Sequence, residues 1–363
     1  MFVYSEDCGQ FHGRNPWAPA RRRPAAKKKP LGTAERRLGL RTSPATCGGF
    51  TLLELMLSMA ILVVIIGGVM SALSTSEQSY TRTELGSDMY ENVRSVAELL
   101  AQEVGQAGLV SLPPTTLTAA VVANAAAQAV NVSQTASMYA AAGTSGEAVL
   151  VDAGSANEEL VYLTAVTAST MTAIFTKSHA SGVPVTVLGA FPSGIVPPGA
   201  TDGSTSVNEP GVSVLNLYGD INSDGSLVYI RYTCDTSVTP GTLTRSVTTI
   251  TPGVNAIGAA QTLLSTLIPN PSPTGAPNNG SNGTPCFQYT SYAVGTPSNT
   301  FVTNVGLTIS VQSLKPDPQT GAYLSMTKSF LDLSPRNVLA GFELGNDGLV
   351  NRIQAQPPNV SLY

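Results

Sequence analysis

The sequence predicts an α+β protein in which one long N-terminal helix precedes a β-rich head domain. Two patterns indicate the helix: residues 50–76 carry a single charged side chain, Glu54, and apolar residues then recur every three or four positions. A third pattern indicates the head, because after Pro114 the chain becomes a series of short β-branched runs bounded by turn residues. These patterns divide the chain into three parts, a leader at 1–49, a helix at 50–108 and a head at 109–363.

Charge is distributed unevenly along the chain. Residues 1–49 contain ten Lys and Arg against three Asp and Glu, a balance of +7, and the remaining residues contain nine basic against twenty acidic side chains, a balance of −11. The acidic body has no basic patch that could neutralise phosphates, which argues against nucleic-acid binding. Residues 1–48 lack apolar periodicity and are predicted to be disordered, with a nucleic-acid-binding arm as the alternative.

The apolar segment Leu55–Leu73 has the length of a membrane-spanning helix. Its 19 residues span roughly 30 Å of hydrocarbon at about 1.5 Å each. The Lys and Arg before it predict a cytoplasmic N-terminus. A secretory signal peptide, cleaved near Gly67-Gly68 or Ser74, is the competing interpretation. It is disfavoured because the chain continues without a break into a second helical pattern.

That second pattern predicts an amphipathic helix outside the membrane. Its apolar positions are Leu85, Met89, Val93, Val96, Leu100 and Val104. Charged residues are predicted on the other faces, namely Glu84, Asp88, Glu91, Arg94, Glu98 and Glu103. One helix over 51–107 would be about 85 Å long; two helices broken at Gly67-Gly68 or Gly86 are the alternative.

Nine runs in the head have the composition of strands: Glu147–Ala153, Leu160–Val166, Met171–Phe175, Val185–Leu188, Val212–Tyr218, Leu227–Tyr232, Cys286–Ala293, Phe301–Val311 and Tyr323–Leu333. The alternation in Phe301–Val311 points Val305, Leu307, Ile309 and Val311 inward and Thr308 and Ser310 outward. The Ala-rich segment Ala119–Ala142 is predicted to be either a short helix or a loop, and Pro269–Pro285 a surface loop.

A carboxylate in the apolar helix requires an explanation. Placing an acidic side chain there costs about 2.5–3.5 kcal/mol, so Glu54 is expected to have a function and a partner charge. No basic side chain follows it until Arg82. The partner is therefore expected near the N-terminus of the helix or on another molecule.

The junction reads Cys47-Gly48-Gly49-Phe50-Thr51-Leu52-Leu53-Glu54, and GFTLLELMLSMAILVVIIG resembles the N-terminal signature of type IV pilins and type II secretion pseudopilins. The resemblance implies a pilin-like fold, with the long helix packed on an antiparallel sheet. It implies cleavage between Gly49 and Phe50 by a prepilin peptidase, N-methylation of Phe50, and pairing of Glu54 with the terminal amine of a neighbouring subunit. It further implies a bacterial inner-membrane protein with a periplasmic head. The implied partners are other minor and major pilins or pseudopilins and an inner-membrane assembly platform.

Two further segments are similar to one branch of this group. The helix bearing Asn92 ends in Gln106-Ala107-Gly108, similar to PilW-type minor pilins. Near the C-terminus, Ser329-Phe330-Leu331 and Pro335-Arg336-Asn337-Val338 are similar to the closing strand and Arg-Asn element of that branch and of J-type pseudopilins. The resemblance implies a non-enzymatic minor pilin or pseudopilin, whereas a membrane-anchored hydrolase or binding domain is the alternative. Type IV pilus, type II secretion and DNA-uptake systems are not distinguished.

Three remaining features concern the chemistry of the head. Cys234 and Cys286 are predicted to form a disulfide, with two buried thiols as the alternative. Asp220, Asn222 and Asp224 match the opening of a calcium loop, but Arg231 occupies the place of the closing Glu, which favours a plain turn. No other cofactor is expected. The chain has two histidines, too few for an evident catalytic or zinc site, and His179 is predicted to be a surface residue at a strand end.

Overall fold

The computed structural model describes residues 50–141, 146–187, 189–191, 193–199, 211–250, 256–272, 283–294, 299–348, 353–358 and 360. The leader, including Gly49, lies outside the described residues, as does the middle of the predicted loop Pro269–Pro285. The first element is α1 (Leu52–Gln106), a single helix, so the alternative of two helices broken at Gly67-Gly68 or Gly86 is wrong. A boundary between two compact units falls inside it, between Val64 and Ile65.

The described strands of the second unit pair antiparallel in three sheets, which together with α1 confirms the predicted α+β fold. The described strands are β1 (Thr115–Thr116), β2 (Asn124–Asn131), β3 (Ala148–Val151), β4 (Glu159–Tyr162), β5 (Ala165–Val166), β6 (Thr170–Phe175), β7 (Pro184–Val187), β8 (Val214–Gly219), β9 (Val228–Asp235), β10 (Gly241–Thr249), β11 (Ala260–Ile268), β12 (Phe287–Val294), β13 (Asn299–Pro316) and β14 (Tyr323–Leu333). A second helix, α2 (Arg336–Asn346), follows β14.

The largest sheet has the order β12-β13-β11-β10-β9-β8. Strand β14 pairs with the edge of β13 that is opposite to β12 and β11. The 18-residue β13 organises this sheet: its first half pairs with β12, its second half contacts β11, and β14 lies along its opposite edge. Two smaller sheets, β1-β7-β3-β4 and β2-β6-β5, form a second lobe with a separate apolar core.

The C-terminal part of α1 packs on the large sheet through the predicted apolar face. Met89, Val93, Val96, Leu100 and Val104 are buried in the same core as the inward residues of β8, β9, β11 and β13. Leu85 is half-buried. The amphipathic pattern therefore identified the docking face of the helix correctly, because burial of that face against a sheet is what keeps such a helix in place.

Glu103 is an exception to the predicted charged faces, since it is only 5% exposed. Its carboxylate accepts hydrogen bonds from both Nε and Nη2 of Arg245 on β10 and from the hydroxyl of Tyr232 on β9. Burial alone would lower the pKa of Arg245, but the hydrogen bond and charge of Glu103 raise it overall. Burial and then Glu103 raise the pKa of Tyr232 well above its usual range. The prediction that Glu103 faces solvent was wrong because a cation and a hydroxyl on the sheet satisfy it.

Several other expectations differ from the structure. Strand β2 lies inside Ala119–Ala142, where a helix or loop was predicted, because pairing with β6 overrides the helical preference of alanine. Thr308 and Ser310 are buried rather than outward-facing, since their hydroxyls lie 3.0 and 2.7 Å from those of Ser329 and Thr327 on β14. Four further elements were not predicted: β1, β10, β11 and α2.

We predict that Glu103→Ala lowers the free energy of unfolding by about 2–3 kcal/mol. Breaking a fully buried ion pair costs about 3–5 kcal/mol, and Arg245 is partly exposed, which reduces the loss. Thermal and urea unfolding of the chain in detergent measure the change. Glu98→Ala, which removes an exposed carboxylate paired with Arg94 on the same helix, is the matched control and should leave unfolding unchanged. Equal effects of the two variants would contradict the anchoring role of Glu103.

A second prediction concerns Glu147, which is fully buried beside β3. Its Oε2 accepts a hydrogen bond from the Tyr139 amide (3.2 Å), and its Oε1 has no partner among the described atoms. Burial raises the pKa of Glu147 well above its usual range. A carboxyl whose folded pKa is raised contributes stability at low pH that is lost as pH rises through the folded value. Glu147→Gln should therefore gain in melting temperature relative to the wild type as pH rises from about 4 to 8. Glu343→Gln, on the exposed face of α2, should show no such trend, and a pH-independent difference for Glu147→Gln would refute the assignment.

Candidate processing and assembly site

The start of α1 is defined by a threonine cap. The Glu54 amide donates to both the side-chain and the backbone oxygen of Thr51 (3.3 and 3.0 Å), and the Leu55 amide donates to the same carbonyl (3.2 Å). The spacing Thr-x-x-Glu is that of a capping box, which favours helix initiation at this point. Phe50 lies before the cap, outside the helix and 82% exposed. The first described residue is therefore accessible and lies ahead of the helix.

Glu54 occupies the first turn of α1 and is exposed. The amide dipoles at a helix N-terminus favour a carboxylate there. Its backbone carbonyl accepts a hydrogen bond from Ser58 (2.9 Å). Among the ion pairs of the described residues, none involves Glu54. Within the described part of the chain, this carboxylate is thus available to a charge from elsewhere.

The apolar stretch that follows Glu54 is exposed throughout. Its large side chains include Leu55, Met56, Leu57, Ile61, Leu62, Val63, Val64, Ile65, Ile66, Val69, Met70 and Leu73. Of the described helices, α1 alone is long and apolar enough to cross a membrane, with a mean hydropathy of 2.5 over its best window and none of that window buried. Such a surface is unstable in water, so the helix needs lipid or other apolar helices around it.

The C-terminal end of α1 is held by a close backbone contact. Gly108 has a φ of +79°, its amide donates to Tyr218 O (2.9 Å), and its carbonyl accepts from the Phe191 amide (3.0 Å). A Cβ on Gly194 would overlap the backbone of Gly108, so both glycines are required here. Asn337 of α2 also donates to the Gln106 carbonyl (3.1 Å). The Gln-Ala-Gly and Arg-Asn segments, far apart in sequence, therefore meet at the end of this helix.

The predicted calcium residues form a turn between β8 and β9. Asp220 is buried; one of its carboxylate oxygens accepts from the Asp224 amide (3.0 Å), and the other accepts from the Gly225 amide (3.0 Å) and the Ser111 hydroxyl. Asn222 and Asp224 are exposed. In the part of the chain that the structure describes, no three His, Cys, Asp or Glu side chains are arranged to hold a metal. Hydrogen bonds account for the Asp220 carboxylate, and calcium binding stays the less favoured alternative to a plain turn.

The structure joins Cys234 and Cys286 by a disulfide, with their Cα atoms 6.5 Å apart. Cys234 lies near the end of β9 and Cys286 directly before β12, so the bond links two strands that do not pair with each other. A covalent link of this kind restricts the unfolded chain.

His179 is 2% exposed, so its prediction as a surface residue was wrong. Its Nε2 lies 3.1 Å from Glu159 Oε2, and its Nδ1 lies 3.8 Å from Asp152 Oδ2. Burial by itself would raise the pKa of Glu159, but hydrogen bonds from Thr176, His179 and Lys177 together lower it overall. The described contacts pair this imidazole with carboxylates and not with a serine or cysteine, so they assemble no nucleophilic site.

Comparison with known protein families finds a match near the start of the chain. Residues 45–70 match the prokaryotic N-terminal methylation motif. The match includes Gly49, Phe50 and Glu54 and the first part of α1. Comparisons with curated proteins and with solved structures gave no match. The methylation motif therefore overlaps the first, apolar part of α1. The head lies outside the matched residues.

We predict that Thr51→Val frays the first turn of α1. Loss of a threonine cap costs about 1 kcal/mol of helix stability, which should speed amide exchange at Glu54 roughly fivefold. Hydrogen exchange of the chain in detergent micelles, followed by NMR, measures this rate. Thr75→Val is the control, because the Thr75 hydroxyl bonds to the Ser71 carbonyl in mid-helix and caps nothing. Unchanged exchange at Glu54 would show that Thr51 is not the cap.

Proposed function

We propose that this chain is the precursor of a membrane-anchored, non-enzymatic minor pilin or pseudopilin. A prepilin peptidase cuts it between Gly49 and Phe50, the new amino terminus on Phe50 is methylated, and the mature subunit joins or initiates a filament. One observation carries the proposal: the methylation motif lies directly at the start of the single described helix that can cross a membrane.

The geometry around Phe50 supports processing at this place. The cap on Thr51 begins the helix independently of the leader, so removal of residues 1–49 leaves α1 intact. Removal also converts a precursor of net charge −4 into a mature chain of −11. The division into leader (1–49), helix (50–108) and head (109–363) follows from this processing, with the N-terminus cytoplasmic and the head periplasmic.

Glu54 is the assembly residue in this proposal. Cleavage creates an ammonium group at Phe50, where the positive end of the helix dipole disfavours a cation. A carboxylate from a neighbouring subunit relieves this cost, and each subunit carries such a carboxylate without an ion-pair partner among its own described residues. In the apolar interior of a helix bundle, either charge without the other would be buried and unpaired, which is strongly unfavourable.

The size of the head favours a minor pilin or pseudopilin over a subunit of the filament shaft. It extends over about 250 residues in two β-sheet lobes, a bulk that would crowd a helical shaft built from closely packed α1 helices. The contact between Asn337 and the Gln106 carbonyl supports a PilW-like or J-type subunit, since it joins the two segments that carry that similarity. The partners are then the prepilin peptidase, other pilins or pseudopilins, and an inner-membrane assembly platform.

We predict that Glu54→Ala is processed normally but is not assembled. Cleavage needs the residues around Gly49 and Phe50, whereas assembly needs the carboxylate. Loss of one partner of a desolvated charge pair should lower incorporation at least about tenfold. Loss of the leader and recovery in the sheared filament fraction are scored together by immunoblot. Glu77→Ala is the control, because Glu77 is the next acidic residue on the same exposed helix. Normal incorporation of Glu54→Ala would overturn the role of Glu54.

A further inference from the structure

Strand β14 forms a free edge of the large sheet. Its eleven residues pair with β13 on one side, and no other described strand pairs with it. This is about twice the usual strand length, and it contains no proline. Unpaired backbone groups along such an edge attract another strand unless charges or bulges protect them. The register shifts of the β13–β14 ladder lie at its two ends and leave Ser325–Phe330 in regular pairing. The two charged residues of β14 have partners: Lys328 Nζ lies 5.1 Å from the centre of the Tyr90 ring on α1, and Asp332 accepts a hydrogen bond from Asn304 of β13.

A groove of about 460 Å³ runs beside this edge, between α1 and β14. Its apolar lining consists of Val93, Ala97 and Ala101 on α1 and Phe330 and Leu333 on β14, and its polar lining of Tyr90, Arg94, Glu98, Lys328 and Ser329. The two alanines leave space that larger side chains would fill. The groove therefore offers apolar pockets directly beside unpaired backbone groups, which is the combination that binds an extended segment in strand addition.

The charges around the groove indicate which kind of extended segment would bind there. Glu84, Glu91 and Glu98 are exposed on the stretch of α1 that includes the groove wall, and Asp332 is exposed on β14. The two basic residues that line the groove are engaged: Arg94 pairs with Glu98 (2.7 Å), and Lys328 lies over the Tyr90 ring. A second copy of the chain would bring the same acidic helix and a net charge of −11. Like charges placed opposite each other disfavour such a complex, whereas a neutral or basic partner is favoured.

We propose that the β14 edge and the adjoining groove bind an extended segment of a different, less acidic prepilin-type subunit, which adds a strand to the large sheet. The proposal rests on the proposed function, because it takes the partner to be a neighbour in the same filament. Contact between heads through this edge is separate from contact between the apolar parts of α1, so the two interactions can be tested independently.

Site-specific photocrosslinking in cells that assemble the filament tests the proposal. A photoreactive phenylalanine analogue replaces Ser325, an exposed residue of β14, in one strain and Leu57, in the apolar part of α1, in another. We expect both to crosslink to subunits with prepilin-type N-termini. Mass spectrometry should identify the Ser325 partner as a different chain with a mature net charge less negative than −11.

Groove variants supply the matched comparison. Ala101→Trp fills the groove and should reduce the Ser325 crosslink at least fivefold, whereas Gln102→Trp adds the same side chain at the adjacent exposed position and should not. A Ser325 probe that crosslinks only to its own chain or to nothing, while Leu57 still crosslinks to filament subunits, overturns the docking proposal and leaves the proposed function intact. Equal effects of the two tryptophan variants also overturn it. Loss of the Leu57 crosslink contradicts the proposed function itself.

Discussion

The structure depends on an apolar helix surface that its own chain does not cover. From Leu52 to Leu73 the large side chains of α1 are exposed, and Glu54 is the only charged residue among them. Apolar surface of this extent is stable in lipid or against other apolar helices, but not in water. A subunit that is first anchored in a membrane and later packs with its neighbours would keep this apolar surface away from water both before and after assembly. In the proposed function, Glu54 sets how those neighbours align, because its carboxylate needs a cation at a defined height along the helix.

The opposite end of α1 is fixed by interactions of another kind. Glu103 is held by Arg245 and Tyr232, and the turn at Gly108 is locked by hydrogen bonds to Tyr218 and Phe191. Closer to the middle of the helix, Arg82 donates to Gln319 in the turn between β13 and β14 (3.2 Å). These polar contacts fix the rotation of the helix against the sheet, which the apolar face alone does not specify. The face of α1 that remains exposed to partners is determined by the same contacts.

Sequence alone predicted the features that repeat along the chain. The helical period identified α1 almost to the residue, and the nine apolar runs each overlap a strand. Prediction from the sequence failed where contacts with residues distant in the sequence determine the local structure. Glu103 was assigned to solvent because its cation lies on β10, and α2 was missed because its buried face is built partly from Gly341 and Gly345, which approach the Phe301 ring. The motif residues were identifiable because their chemistry is local, whereas the β14 groove depends on two elements more than 200 residues apart in sequence.

Cleavage before Phe50, as proposed, would place α1 at the N-terminus of the mature protein. N-terminal sequencing and intact-mass measurement of the chain isolated from membranes test this cleavage. We expect a chain that begins with N-methylated Phe50 and retains Cys234 and Cys286. A chain that still begins with Met1, or one cut after residue 70, would contradict it.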